Sequence, residues 1–237
     1  MIPIADNIKE HCQPIVTGLL IGFTVALFLW QLKLEAVGKL GDFLQAWGVV
    51  PARLSDMTSA AIKERNPAAF FALIGMGVPS LISGIFLHSS FSQLLGNLLF
   101  LWVFGRRVEQ ELGHWRFLFF YLICGIFATT VQILTVPNLK EPLIGANGAV
   151  AGILGAYVFR FPTAKVETIL PLVVVFIPIE LPASFYLLWW FIQQGFYGIG
   201  QLAVSGGGFS SGLAYWAHGV GLALGAGLMY WKSKSDY

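Results

Sequence analysis

The chain has 237 residues, of which 57% are hydrophobic and only 11% charged, with a mean hydropathy of +0.74. Soluble domains carry about 25% charge, so a chain with under half that share, eight Trp and twenty Phe is solvated mostly by lipid. A net charge of +2 is too small to suggest nucleic acid as a partner. Cys12 in a polar stretch and Cys124 in an apolar run offer neither a disulfide pattern nor a metal-ligand spacing, so no metal or cofactor is expected.

Residues 1–14 read as a short polar tail and 15–237 as one membrane domain. The apolar run from Ile15 is too long for a signal-peptide core and no small-residue cleavage site follows it directly, so it is a retained span. At roughly 20 residues per crossing, the pattern predicts six spans, near 15–33, 91–107, 116–136, 143–160, 182–202 and 212–231. In the long loop after the first span, Leu34, Val37, Leu40, Phe43, Leu44 and Trp47 recur at helical intervals. That is either an amphipathic piece lying in the interface or an ordinary solvated loop helix. Residues 68–87 carry no charge, but Gly75, Gly77, Pro79 and Gly84 argue against a straight helix. We read them as a part of the loop that dips into the membrane; crossing stays open. Lys165 to Glu180 reads as a half-apolar linker with Pro171 and Pro178, and Val204 to Ser211 as a flexible Gly/Ser loop. Lys9, Arg106, Arg107, Arg116, Arg160, Lys165, Lys232 and Lys234 fall on one side, which the positive-inside rule makes cytoplasmic, with both termini there.

Polar groups in hydrocarbon are costly unless paired or facing a cavity, so Asn97, Asn147 and His218 each need a reason. Gly148, Gly152 and Gly155 line one face of the fourth span, and Gly221 and Gly225 lie four apart on the sixth. Small faces let helix backbones approach closely. His218 precedes Gly221 by three residues, on the same face. Contact between the two faces brings His218 near Asn147, in a polar pocket with Gln93 and Asn97. The plainer alternative is that these side chains only join the helices by hydrogen bonds.

Several stretches, in order, resemble the rhomboid family of intramembrane serine proteases: Ile2 to Asn7, Trp47 to Pro51, Phe86-Leu87-His88, Leu94 to Gly105, Val108-Glu109, Glu111-Leu112-Gly113, and Ala217-His218 with Gly221 and Gly225. The resemblance implies an all-α membrane protein, a six-transmembrane-helix rhomboid-like bundle with a long, partly membrane-embedded loop after the first span. It also implies a serine nucleophile in Gly-x-Ser-Gly opening the fourth span, a histidine base on the sixth, and an oxyanion-binding His-x-x-x-Asn on the second. Trp189 and Gln193 fit the family's lateral gate.

This chain departs from the pattern at two positions. Asn147 stands at the serine position in Gly145-Ala146-Asn147-Gly148, and Gln93 at the second-span histidine position, while Asn97 and His218 remain. A carboxamide nitrogen has a delocalised lone pair and is no acyl-transfer nucleophile. Ser89, Ser90, Ser92, Thr129, Thr130, Ser210 and Ser211 offer no substitute at a helix mouth beside the base. Gln93, Asn97 and the backbone at Gly148 still supply N–H donors for a carbonyl. The expected function is therefore a catalytically silent pseudoprotease that binds transmembrane segments of client proteins, in a bacterial plasma membrane. The alternative is an active intramembrane endopeptidase. A transporter is disfavoured, since Glu180, at a span boundary, is the sole acidic candidate.

Overall fold

The computed structural model describes residues 2–9, 11–172, 175–189, 192 and 209–235. Strand β1 (Ile2–Asp6) precedes helix α1 (Ile15–Ala36). The loop helices α2 (Leu40–Trp47) and α3 (Pro51–Ile62) follow, then α4 (Pro67–Phe86). Helix α5 runs over 91–112 and α6 over His114–Thr135, before α7 (Asn147–Arg160). A hairpin of β2 (Lys165–Leu172) and β3 (Val175–Pro182) leads into α8 at 183–189, and α9 (Phe209–Ser235) closes the chain. Gln193 and most of the predicted 182–202 span lie outside the described residues, as does the Gly/Ser loop up to 208.

Helix α7 forms the centre of the bundle. Every residue from Ala149 to Tyr157 is buried. Its glycines seat it against α6 and α9. A Cβ on Gly152 would run into Cys124 of α6, and one on Gly225 would overlap the Gly152 carbonyl. Gly221 meets the Gly148 carbonyl in the same way. The pairs 148/221 and 152/225 give α7 and α9 a parallel register, the close approach that the two glycine faces predict.

The uncharged segment is helical from Ala68 to Phe86, interrupted by one π-turn, and Leu87 is already extended. Asn66 caps α4, its Oδ1 accepting from the amides of Ala68 (3.0 Å) and Ala69 (3.4 Å), with Pro67 in the first turn. Pro79 would press its ring on the carbonyl four residues back. A π-turn over Leu73–Gly77 widens the helix just ahead of it. At 20 residues, α4 is about 30 Å long, enough to cross a bilayer. Helices α1 and α6 are also long and apolar enough to cross. The apolar side of α2, with Phe43 and Trp47, lines a groove of about 690 Å³ against Phe23 and Trp30 of α1 and Ile74 of α4.

Residues 165–180, expected to be a linker, form the hairpin instead. From Lys165 to Thr168 exposure alternates strictly, with Val166 and Thr168 fully buried. That is the period of a half-buried strand. Strand β2 is central in the order β1-β2-β3, both pairings antiparallel. Pro3 and Pro178 sit on the outer strands, where a missing N–H is tolerated. The tail is thus partly structured: Asp6, at the end of β1, is buried between Arg107 (Nη2 to Oδ1, 2.6 Å) and the Tyr157 hydroxyl, which donates at 3.0 Å.

Buried Glu109 explains the Val108-Glu109 stretch. Its carboxylate accepts from the amides of Val16 and Thr17 (2.8 Å each) and the Thr17 hydroxyl (2.6 Å). Pro14 offers no capping side chain, so a residue from α5 caps the positive end of α1.

Candidate functional site

Asn147 is the first residue of α7 and half-buried. The chain reaches it through a tight turn. Gly145 has φ +124°, a conformation open to glycine, and its N–H donates to the Gly84 carbonyl at the end of α4 (2.9 Å). The Val49–Leu143 bridge fastens the same segment to the loop before α3. A Cβ on Gly145 would clash with the Gln93 amide nitrogen and touch that of Asn147. The Gln93 and Asn147 side chains therefore both border the space above this one glycine.

Gln93 is a bracket as much as a donor. Its Nε2 donates to the Ile144 carbonyl (3.3 Å), and its Oε1 accepts from the Ser89 amide (2.9 Å) and hydroxyl (3.0 Å). Ser90 caps α5, its Oγ accepting from the Gln93 amide (3.2 Å) and lying 3.1 Å from the Ser92 hydroxyl. These serines are engaged with one another and with Gln93 at the mouth of α5.

Asn97, one turn deeper, is buried and held by a residue that sequence reading did not assign to the site. Its Nδ2 lies 3.1 Å from Nε2 of His88. The other ring nitrogen faces the Phe86 carbonyl at 3.2 Å. A carbonyl can only accept, so Nδ1 carries the hydrogen and Nε2 accepts from Asn97. The backbone of His88 is clamped by Gln31 of α1, whose amide donates to its carbonyl (2.9 Å) and accepts from its N–H (3.1 Å). Burial pushes the His88 pKa down to about 4. The available signal was a polar Gln31 inside the first apolar run, together with His88 in the quoted stretch Phe86-Leu87-His88.

His218 is buried in α9, three residues before Gly221. Continuing the α7/α9 register back one turn sets it level with the mouth of α7. Gly148 packs against Ala128 of α6 and Gly221 of α9. Of the two residues expected at a gate, Trp189 is 38% exposed on α8, and Gln193 lies outside the described residues. One turn before Trp189, Tyr186 packs on Phe100 and Phe104 of α5 with ring centroids 5.9 and 5.8 Å apart. Among the described residues no cluster of three or more His, Cys, Asp or Glu side chains could hold a metal ion.

A family model described as Rhomboid domain matches residues 77–235, which take in all of these residues except Gln31 and Val49. The chain belongs to the rhomboid family. It is an integral membrane protein, as its apolar helices require. Among curated rhomboid relatives, it is 31% identical over 171 residues to Rhomboid protein 1, mitochondrial, of Saccharomyces cerevisiae, covering 70% of this chain and 42% of the yeast protein. It is 41% identical over 76 residues to RHOMBOID-like protein 5 of Arabidopsis thaliana (32% of this chain, 25% of that one). It is 38% identical over 79 residues to Putative rhomboid protease YdcA of Bacillus subtilis (33% and 39%). The chain thus spans less than half the length of each of these relatives.

Proposed function

We propose that this rhomboid-family protein binds transmembrane segments of client proteins and does not cleave them. The observation that carries the reading is the carboxamide of Asn147 at the mouth of α7, where the family resemblance calls for a hydroxyl. The neighbouring hydroxyls of Ser89 and Ser90 are tied up around Gln93, which supports the absence of a substitute nucleophile. Each amide nitrogen of Gln93 and Asn97 has one hydrogen committed, to Ile144 and His88, and a second free to meet a peptide carbonyl. A client helix enters between α5 and α8, past Trp189 and Gln193, and its backbone is held near Gly145. The termini face the cytoplasm of a bacterial cell, a reading favoured by the basic loops. Arg160 and Lys232 gather around Glu111, at 2.8 and 4.0 Å, at the same end as Arg107 and β1.

The names of relatives such as Putative rhomboid protease YdcA favour the second reading, an active endopeptidase. Reconstitution with a model transmembrane substrate separates the two. The unmodified protein retains the substrate in pull-down and yields no fragments. Removing a nucleophile of this kind costs about 10⁶ in turnover, so Asn147→Ser with Gln93→His yields measurable cleavage. Fragments from the unmodified chain overturn the proposal.

A further inference from the structure

A second cluster of reactive side chains lies at the far end of α5, about 24 Å from Gln93 at 1.5 Å per residue. Cys12 is exposed, three residues before α1. Its Sγ lies 3.8 Å from Nε2 of His114, the first residue of α6. The other ring nitrogen, Nδ1, lies 2.6 Å from Glu109 Oε1. An ionised carboxylate only accepts, so Nδ1 holds the hydrogen, and in the neutral ring Nε2 then presents its lone pair on the side of the thiol. Glu109 cannot swing away, because it caps α1 through Val16 and Thr17. Gln110 fixes the other side, its amide donating to the Cys12 carbonyl (3.1 Å). Nucleophile, base and the group that orients the base thus stand in order, with the thiol also 3.6 Å from the Gln13 carbonyl.

The surroundings say what such a thiol would take. His114 stands at the rim of an apolar groove of about 400 Å³ between α1 and α6. Ile15, Leu19 and Phe23 line one side, and Trp115 and Leu118 the other. The groove begins at His114, the residue beside the thiol, and follows the first turns of α1 as far as Phe23. A cysteine at the membrane boundary of a span, with an imidazole on one side and a hydrocarbon slot on the other, suits one modification.

We propose that Cys12 is an S-acylation site, loaded from a long-chain acyl thioester, with His114 as the base and the α1/α6 groove as the berth of the acyl chain. Cys12 Sγ attacks the thioester carbonyl carbon, and the new S–C bond forms as the donor's C–S bond breaks. The Cys12 proton passes to His114 Nε2 and from there to the departing thiolate. No oxidant or reductant is consumed.

The test uses the purified full chain in liposomes, incubated with alkyne-tagged palmitoyl-coenzyme A, with the adduct mapped by peptide mass. The expected result is one hydroxylamine-labile adduct on Cys12, absent from buried Cys124 and lost in Cys12→Ser. His114→Gln, checked for an unchanged melting temperature, loads at least tenfold more slowly. Leu19→Trp, a change on the lipid-facing side of α1, shifts preference from palmitoyl to hexanoyl donors. An adduct that persists in Cys12→Ser, or equal loading rates in His114→Gln, overturns the proposal. So does equal loading of the unmodified chain by the two donors.

Discussion

At the scale of single residues, His88 is the hinge of the polar interior. It gives its ring to Asn97 and its backbone to Gln31, so α1, α5 and the end of α4 meet at one residue. Its pKa is about 4 in the folded protein against about 6.5 unfolded. The neutral ring is favoured on folding, so the contribution is intact above pH 6.5 and is lost as the pH falls towards 4. The loss amounts to about 3 kcal/mol, at 1.36 kcal/mol per pKa unit. Melting temperatures between pH 4 and 8 should show this decline, and His88→Phe should flatten it. The same variant leaves Asn97 without its buried acceptor and lowers stability at pH 7 by about 1–3 kcal/mol. Gly145 is the other sensitive position. Gly145→Ala meets both a strained φ and the Gln93 amide, and should weaken client retention more than it lowers the melting temperature.

Between elements, the α7/α9 seam is built from backbone rather than side chains, because a glycine on one helix faces a carbonyl on the other. Gly225→Leu forces the helices apart and should cost about 3 kcal/mol or more in denaturant unfolding. Gly227→Ala, on the same helix but facing open space, should change little. An equal response from the two variants would remove the argument for a close seam. The hairpin shows how an element can be missed. Val166 and Thr168 alternate with Lys165 and Glu167 over too few residues to stand out, and Pro178 reads as a breaker until β3 is known to be an outer strand.

For the molecule as a whole, the polar N-terminal stretch is a fastening. Asp6 joins β1 to α5 through Arg107 and to α7 through Tyr157, which links the sheet to the helices that carry the site. Arg107, counted from the sequence as a topological charge, is buried in this ion pair. Asp6→Ala takes the carboxylate away from that buried guanidinium and should cost about 3 kcal/mol in unfolding. The pair of Arg160, half-exposed, and Glu111, partly exposed on the same end, should contribute about 1 kcal/mol or less when broken.

The membrane class, the family and the glycine faces were legible from sequence alone, because hydropathy and small-residue spacing act locally and survive without coordinates. Asn147 could be named for the same reason: it is a polar residue at the head of an apolar run, within a recognisable motif. Tertiary structure decided which partners hold the polar groups. Gln31 and His88 lie 57 positions apart, Cys12 and His114 are 102 apart, and Asp6 and Tyr157 are 151 apart. Each of those pairs exists only once segments distant in sequence have packed; for the two buried pairs, the cost of leaving a polar group alone in a low-dielectric interior selects the partner by proximity in space.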